Sequence, residues 1–303
     1  MWYITAQSNP RPVNFLLNRI TRIYPLYWLF TAAMVCAAIV IPKAFRFAYI
    51  KPIFLAKSLL LYPTWHPVIK AVAPTLHVGW TLEYEVFFYF LFAVLLVFPA
   101  SQRLAINLAT LLLLVLLGRL VHFNSPVLQT YTGPLLLEFG AGMIVGMLYE
   151  KRHDVSPAVG LTFALISLAW MYPMTKYVDG NYRALTWGPP ALLLVYGILC
   201  AERGMRKAWD LRLMELLGDS SYSIYLCHQF VLGAVRLAWK PLPQYGSAEF
   251  FLHITSGTVL ATAVGVFIHL YLEKPIIKAT RHIVESISGA KGYRKSIPAT
   301  PHA

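Results

Sequence analysis

Apolar residues run along this chain in blocks of about 15–25 separated by short polar connectors. Blocks of that length reach across a hydrocarbon core of about 30 Å at about 1.5 Å per helical residue. They lie at residues 24–42, 78–99, 104–121, 133–150, 158–173, 187–201, 216–240 and 250–272. The pattern predicts an all-α fold, a polytopic integral membrane helical bundle of about eight transmembrane helices. The longest connector, 43–77, holds an apolar piece from Ile53 to Tyr62 among Pro52, Pro63, Pro67 and Pro74. That piece is too short to span, so a surface-lying or re-entrant helix is expected. Residues 1–277 read as one membrane domain, and 278–303 as a basic cytoplasmic tail that is mobile at the membrane face. No internal repeat divides the chain.

Composition agrees: 58% of residues are hydrophobic and 13% charged, with mean hydropathy +0.58, whereas soluble domains carry about 25% charged residues. The formal charge of +13 suggests nucleic acid at first sight. Its cations lie between apolar blocks rather than on one folded face, so they read as topology signals and contacts to membrane lipid, and no nucleic acid partner is expected. With both termini cytoplasmic, 16 of the 26 Lys and Arg residues share the cytoplasmic side, although Lys43, Arg46, Lys51, Lys57 and Lys70 crowd one external connector. Cys36, Cys200 and Cys227 lie in apolar blocks without CxxC spacing, so neither a disulfide framework nor a metal site is expected. Met1–Pro12 resembles neither a signal peptide nor a span.

A few polar residues sit where apolar ones are expected. Arg19 and Arg22, three apart, share a helix face at the mouth of the first span. Two guanidiniums there suit phosphate oxygens, or serve as a positive-inside anchor. Glu83 and Glu85 open a strongly aromatic span; the pattern places Glu83 towards solvent and Glu85 inward with Phe88 and Tyr89. Glu85 reads as a proton acceptor or as half of an ion pair with Arg119. His77 and Trp80 lie near the same external mouth. Ser221, Tyr225 and His228 share a face of the next polar-marked span, where His228 could move a proton or simply bond across helices. Asp219 or Ser220 is expected to cap that helix. Gly142 and Gly146 form a GxxxG read as a close-packing site. GxxxxGK[ST], HExxH and GxSxG are absent from the sequence, which disfavours ATP-driven transport, zinc protease and serine hydrolase chemistry.

Four segments together resemble the membrane acyltransferase family 3, in particular its exopolysaccharide acetyltransferase branch. FLLNRITRIYPLYW is similar to the family's RxxR element at Arg19, Arg22, Pro25, Tyr27 and Trp28. GWTLEYEVFFY is similar to its W-[ST]-L-x-x-E-x-x-F-Y element, which puts the family carboxylate on Glu85. LLEFGAGMIVG resembles the Glu-Phe-x-x-Gly span at Glu138, and LGDSSYSIYLCHQ with YLEKPI resembles the endings at His228 and Glu273.

The resemblance implies a membrane O-acyltransferase. It would move an acyl group, usually acetyl from cytoplasmic acetyl-CoA or another acyl-CoA, to a hydroxyl of a cell-surface polysaccharide or lipid-linked glycan. No metal would take part. Arg19 and Arg22 would hold the phosphates of coenzyme A, Glu85 would meet the acceptor, and the protein would sit in a bacterial inner (plasma) membrane beside polysaccharide-synthesis machinery. Family members carry two further spans before the Arg pair, with a histidine as general base. This chain is expected to be N-terminally truncated relative to them, with Met1-Trp2-Tyr3 as the end of the second. Glu85 and His228 then remain as catalytic candidates, Arg19 and Arg22 as cofactor-binding, and His77, Trp80 and Tyr225 as substrate-binding. Glu138, Asp219, Ser221 and Glu273 are structural or unassigned. Two other classes fit part of the pattern: a transporter or flippase for a lipid-linked sugar or small acyl compound, and a non-catalytic component of a polysaccharide assembly complex.

Overall fold

The computed structural model describes residues 10–43, 45–151, 156–174, 186–205, 211–239 and 247–288. Met1-Trp2-Tyr3 and the tail beyond residue 288 lie outside these. The described residues form helices α1 (Pro12–Val40), α2 (Pro52–Leu59), α3 (Trp80–Leu95), α4 (Ala100–Leu120), α5 (Pro126–Tyr131), α6 (Leu136–Glu150), α7 (Pro157–Met174), α8 (Gly188–Met205), α9 (Arg212–Asp219), α10 (Ser221–Trp239), α11 (Ser247–Ile268) and α12 (Lys274–Ser288). They contain no β-strand, only an isolated bridge between Trp65 and Val72.

Among the described residues, six stretches are long and apolar enough to cross a membrane: Pro12–Val40, His77–Leu95, Ala100–Leu120, Pro126–Glu150, Pro157–Met174 and Phe251–Ile283. Two expected crossings fall short of that measure. The apolar part of α8 is the shorter Gly188–Glu202, and the block at 216–240 is divided between α9 and α10. Helix α10 places Ser221, Ser223, His228, Gln229 and Arg236 within 19 residues, which lowers its hydropathy. Helix α1 begins at Pro12 rather than near residue 24, so the Arg pair lies inside the helix. At 29 residues it is about 44 Å long, more than the hydrocarbon core requires. Residues 278–288, expected to be part of a mobile tail, continue as α12. Ile276, Ile277 and Ile283 recur at helical spacing there, opposite Lys278 and His282.

The chain forms two compact units. One takes the N-terminal residues to Leu16 and Tyr84–Asp210; the other takes Leu17–Glu83 and Leu211–Lys291. In the first unit, α7 and α8 pack backbone to backbone. A Cβ built on Gly160 would meet the Gly197 carbonyl oxygen at 2.6 Å, and one on Gly197 would meet the Gly160 carbonyl at 2.6 Å. Ser167 donates to the Pro190 carbonyl at 2.5 Å beside that crossing. Gly142, expected as a packing glycine, has open space around it; Gly140, two residues earlier, is the one that admits Leu108. Buried Arg103 closes the end of α3, donating to the carbonyls of Phe98 at 2.7 Å and Leu96 at 3.0 Å.

In the second unit, the aromatic run of α1 has a plain mechanical role. Eight-residue α2 ends with orphan carbonyls, as every helix does. Tyr27 donates to Ser58 O at 2.8 Å, Trp28 to Leu59 O at 2.8 Å and Tyr24 to Leu60 O at 3.2 Å. Three consecutive carbonyls thus accept hydrogen bonds from one face of α1. The Ser58 hydroxyl accepts the Thr75 amide at 3.0 Å, and Thr75 donates to Tyr49 O at 2.9 Å, which draws the rest of the connector onto α2. Gly79 is required at the next turn, because a Cβ there would meet the Tyr27 ring at 2.8 Å and Pro74 at 2.9 Å.

The connector ends in a tight hairpin built on His66. Its Nδ1 accepts the amides of Val68 and Ile69, both at 3.3 Å, while its ring lies edge-on to Phe54. Burial, with His77 nearby, lowers the His66 imidazole below the usual histidine range. The open hairpin therefore binds the proton first as pH falls. Hairpin stability is complete above the unfolded-state value of about 6.5 and is lost below it. Protection factors of the Val68 and Ile69 amides should fall between about pH 7 and about pH 5, and constant protection would contradict this assignment.

Candidate active site

Four of the predicted positions gather in the second unit, around the 3-10 turn His77–Gly79 that leads into α3. Tyr225 of α10 donates its hydroxyl to the Val78 carbonyl in a short bond and shares a 2.6 Å bond with Thr81 Oγ1. One turn further, His228 Nδ1 lies 2.5 Å from the Tyr225 carbonyl. A carbonyl only accepts, so Nδ1 carries the hydrogen and, in the neutral ring, Nε2 keeps its lone pair. The backbone thereby fixes the tautomer that a proton acceptor needs. His77 is exposed and Trp80 half-buried at the same mouth.

Closer to the start of α1, Tyr222 donates to the Ile23 carbonyl at 2.8 Å. This ties α10 to the turn after Arg19 and Arg22. Arg19 is half-buried and Arg22 exposed, and their spacing of three keeps them on adjoining positions of one face. Asp219 and Ser221 are exposed. The expected cap is not formed: the Ser220 hydroxyl donates back to Leu216 O at 2.7 Å, so it closes α9 instead of accepting amides of α10.

Of the two carboxylates of α3, Glu83 is not turned towards solvent as expected. Glu83 is 1% exposed, and its Oε1 has no partner among the described residues. Glu85 is half-buried and accepts a short bond from the Tyr89 hydroxyl one turn along. Two residues on a helix lie roughly 200° apart, and the sequence alone does not say which side packs. Glu85, with Tyr89, belongs to the first unit, as does Glu138, half-buried in the first turn of α6 where the helix N-terminus favours a carboxylate.

A buried cluster forms around Glu273. Between α11 and α12 the helix widens for one π turn, His269–Glu273, a distortion common at functional sites. Glu273 Oε2 accepts Ser223 Oγ at 2.7 Å and His269 Nδ1 at 2.7 Å. All three residues are buried: Ser223 at 0%, Glu273 at 2% and His269 at 6% exposure. His269 Nε2 has no hydrogen-bond partner among the described residues. The sequence points to Glu273 but not to Ser223 or His269, its two partners here. The signal of His269 was present as an i, i+4 pair with Glu273.

Comparison with known proteins gives a consistent result. The acyltransferase domain family (acyltransferase 3) matches residues 7–270. The exopolysaccharide production protein ExoZ of Rhizobium meliloti (strain 1021) is 36% identical over 282 residues, which cover 93% of this chain and 86% of that protein. No solved structure matches.

Proposed function

The chain belongs to the acyltransferase 3 family, and from that premise we propose that it moves an acyl group, acetyl in the first instance, from acyl-CoA to a hydroxyl of a cell-surface polysaccharide or lipid-linked glycan. One observation carries the reading. Two of the four segments that resemble the family, that of the Arg pair and that of His228 with Glu273, lie in one compact unit with the His77–Trp80 mouth. In this reading Arg19 and Arg22 grip the phosphates of coenzyme A from the cytoplasmic side. His77, Trp80 and Tyr225 line the acceptor side. His228 Nε2, with Glu85 as the second candidate, takes the proton of the acceptor hydroxyl. The freed oxygen attacks the thioester carbonyl, the carbon–sulfur bond breaks, and the proton passes to the departing thiolate. Helices α8 and α10 complete an even set of about eight crossings in a bacterial inner membrane, with both termini cytoplasmic. Residues 1–277 form the catalytic domain, and 278–303 a basic cytoplasmic extension beside the polysaccharide-synthesis machinery.

Purified protein in lipid nanodiscs, given labelled acetyl-CoA and an acceptor glycan, should transfer label. Arg19→Ala and Arg22→Ala should each weaken coenzyme A binding by about 10- to 100-fold, because a hydrogen bond to a charged group contributes about 1.5–3 kcal/mol. Full-strength binding in both variants would rule out the phosphate role, and absence of transfer by the unaltered protein would rule out the reaction.

A further inference from the structure

The connector between α1 and the His77–Gly79 turn carries a charge that nothing in the reaction uses. Lys43, Arg46, Lys51, Lys57 and Lys70 are all exposed, and the chain has no Asp or Glu before Glu83. Among the described residues none of the five is paired with a carboxylate. Lys51 and Lys57 instead lie over the rings of Tyr49 and Tyr62, at 5.8 and 5.7 Å from the centroids. Like charges concentrated on one segment repel, and the natural relief is an anion from outside the chain.

The scaffold around these cations is firm. Three donors from α1 close α2, the Trp65–Val72 bridge pairs the hairpin arms, and Lys70 is held by its amide bond to His66 O at 2.9 Å. Its φ of 56° is a left-handed value that non-glycine residues adopt at a cost. Beside the cations this scaffold exposes two large aromatic faces, Tyr62 at 48% and Trp65 at 45%. Tyr and Trp beside lysines also occur at the level of lipid headgroups. A pyranose has a C–H-lined face that lies flat on an aromatic ring, and an acidic sugar adds a carboxylate for lysine.

We propose that residues 43–70 form a binding surface for acidic sugar residues of the acceptor, so that the glycan taken by this protein is polyanionic. The inference rests on the glycan-acyltransferase reading and on the connector lying on the acceptor side. A preorganised surface of this kind lowers the ordering cost of a flexible glycan. It also draws the chain toward the neighbouring His77 and Trp80 by long-range attraction.

The test uses the full chain in nanodiscs of zwitterionic lipid, with oligogalacturonate as the acidic probe and a neutral malto-oligosaccharide of equal length as control. The acidic oligomer should bind at least about tenfold more tightly than the neutral one, and added salt should weaken it. Lys57→Gln with Lys70→Gln should lower its affinity about tenfold, and Trp65→Ala should lower it comparably. Coenzyme A affinity, unchanged in these variants, reports that the fold is retained. Equal affinity for the two oligomers overturns the proposal. It is also overturned if the variants leave oligogalacturonate binding intact and only reduce phosphatidylglycerol retention, seen by native mass spectrometry, since the surface is then a lipid contact. Acyl transfer to a neutral glycan without oligogalacturonate binding would sink this inference alone. Oligogalacturonate binding of the expected kind in a protein that transfers no acyl group would support it while removing the reaction.

Discussion

Glu273→Ala is expected to destabilise the protein by about 3–5 kcal/mol, the usual cost of removing one partner from a buried pair. The carboxylate oxygen that would be lost accepts two hydrogen bonds, one from Ser223 and one from His269. Both donors are themselves buried, so both would lose their partner out of contact with solvent. His269→Ala should cost less, about 1–3 kcal/mol, because the Ser223 bond to Glu273 survives. Thermal unfolding in nanodiscs, read by intrinsic fluorescence, distinguishes the two, and equal unfolding temperatures for wild type and Glu273→Ala would show that the cluster contributes nothing. Acyl transfer measured on the same samples tells whether the cluster also serves the reaction.

A single methyl group should produce effects of opposite sign at two glycines. In Gly160→Ala the added carbon would face the Gly197 carbonyl at 2.6 Å, the Ala201 nitrogen at 2.7 Å and Cys200 Cβ at 2.9 Å. Two of these are backbone atoms and cannot rotate aside. The pair α7 and α8 must separate, at a cost of about 1–3 kcal/mol or more. Gly142→Ala meets no atom within 4 Å, and alanine is the better helix former by about 0.5–1 kcal/mol, so that variant should be neutral or slightly more stable. Unfolding temperatures that move together in the two variants would show that the close approach of α7 and α8 does not carry the packing. Gly197→Ala in the Gly160→Ala background should add less than its single effect, since the first methyl has already opened the crossing.

The helical membrane architecture was legible because long apolar blocks leave few alternatives to spanning helices. Helix limits were less so. The first apolar block starts at residue 24, yet a helix extends beyond the apolar part of a span at little cost, and α1 runs back through Arg22 and Arg19 to Pro12. The candidate site was legible where residue type and spacing suffice, as in the Arg pair and in Tyr225 with His228. It failed where the choice depends on which face of a helix meets a neighbour. Glu83 and Glu85 are a case of this, and so are Ser221 and Ser223: two residues apart, their burial is decided by α10 packing against α11 and the π turn. His269 was hidden for another reason. One histidine near the end of an apolar block has no pattern of its own, and only the widened turn and the Ser223 contact give it a role. The GxxxG at Gly142 shows the converse, a motif suited to close packing that has open space at its first glycine.

The three donors by which α1 closes α2 also bear on how the protein is made. During synthesis Tyr24, Tyr27 and Trp28 emerge about 31–36 residues ahead of the carbonyls they bind. An eight-residue helix does not persist alone. The emerging α2 therefore folds onto an α1 already in place, and α1 acts as a template that the following segment reads as it leaves the ribosome.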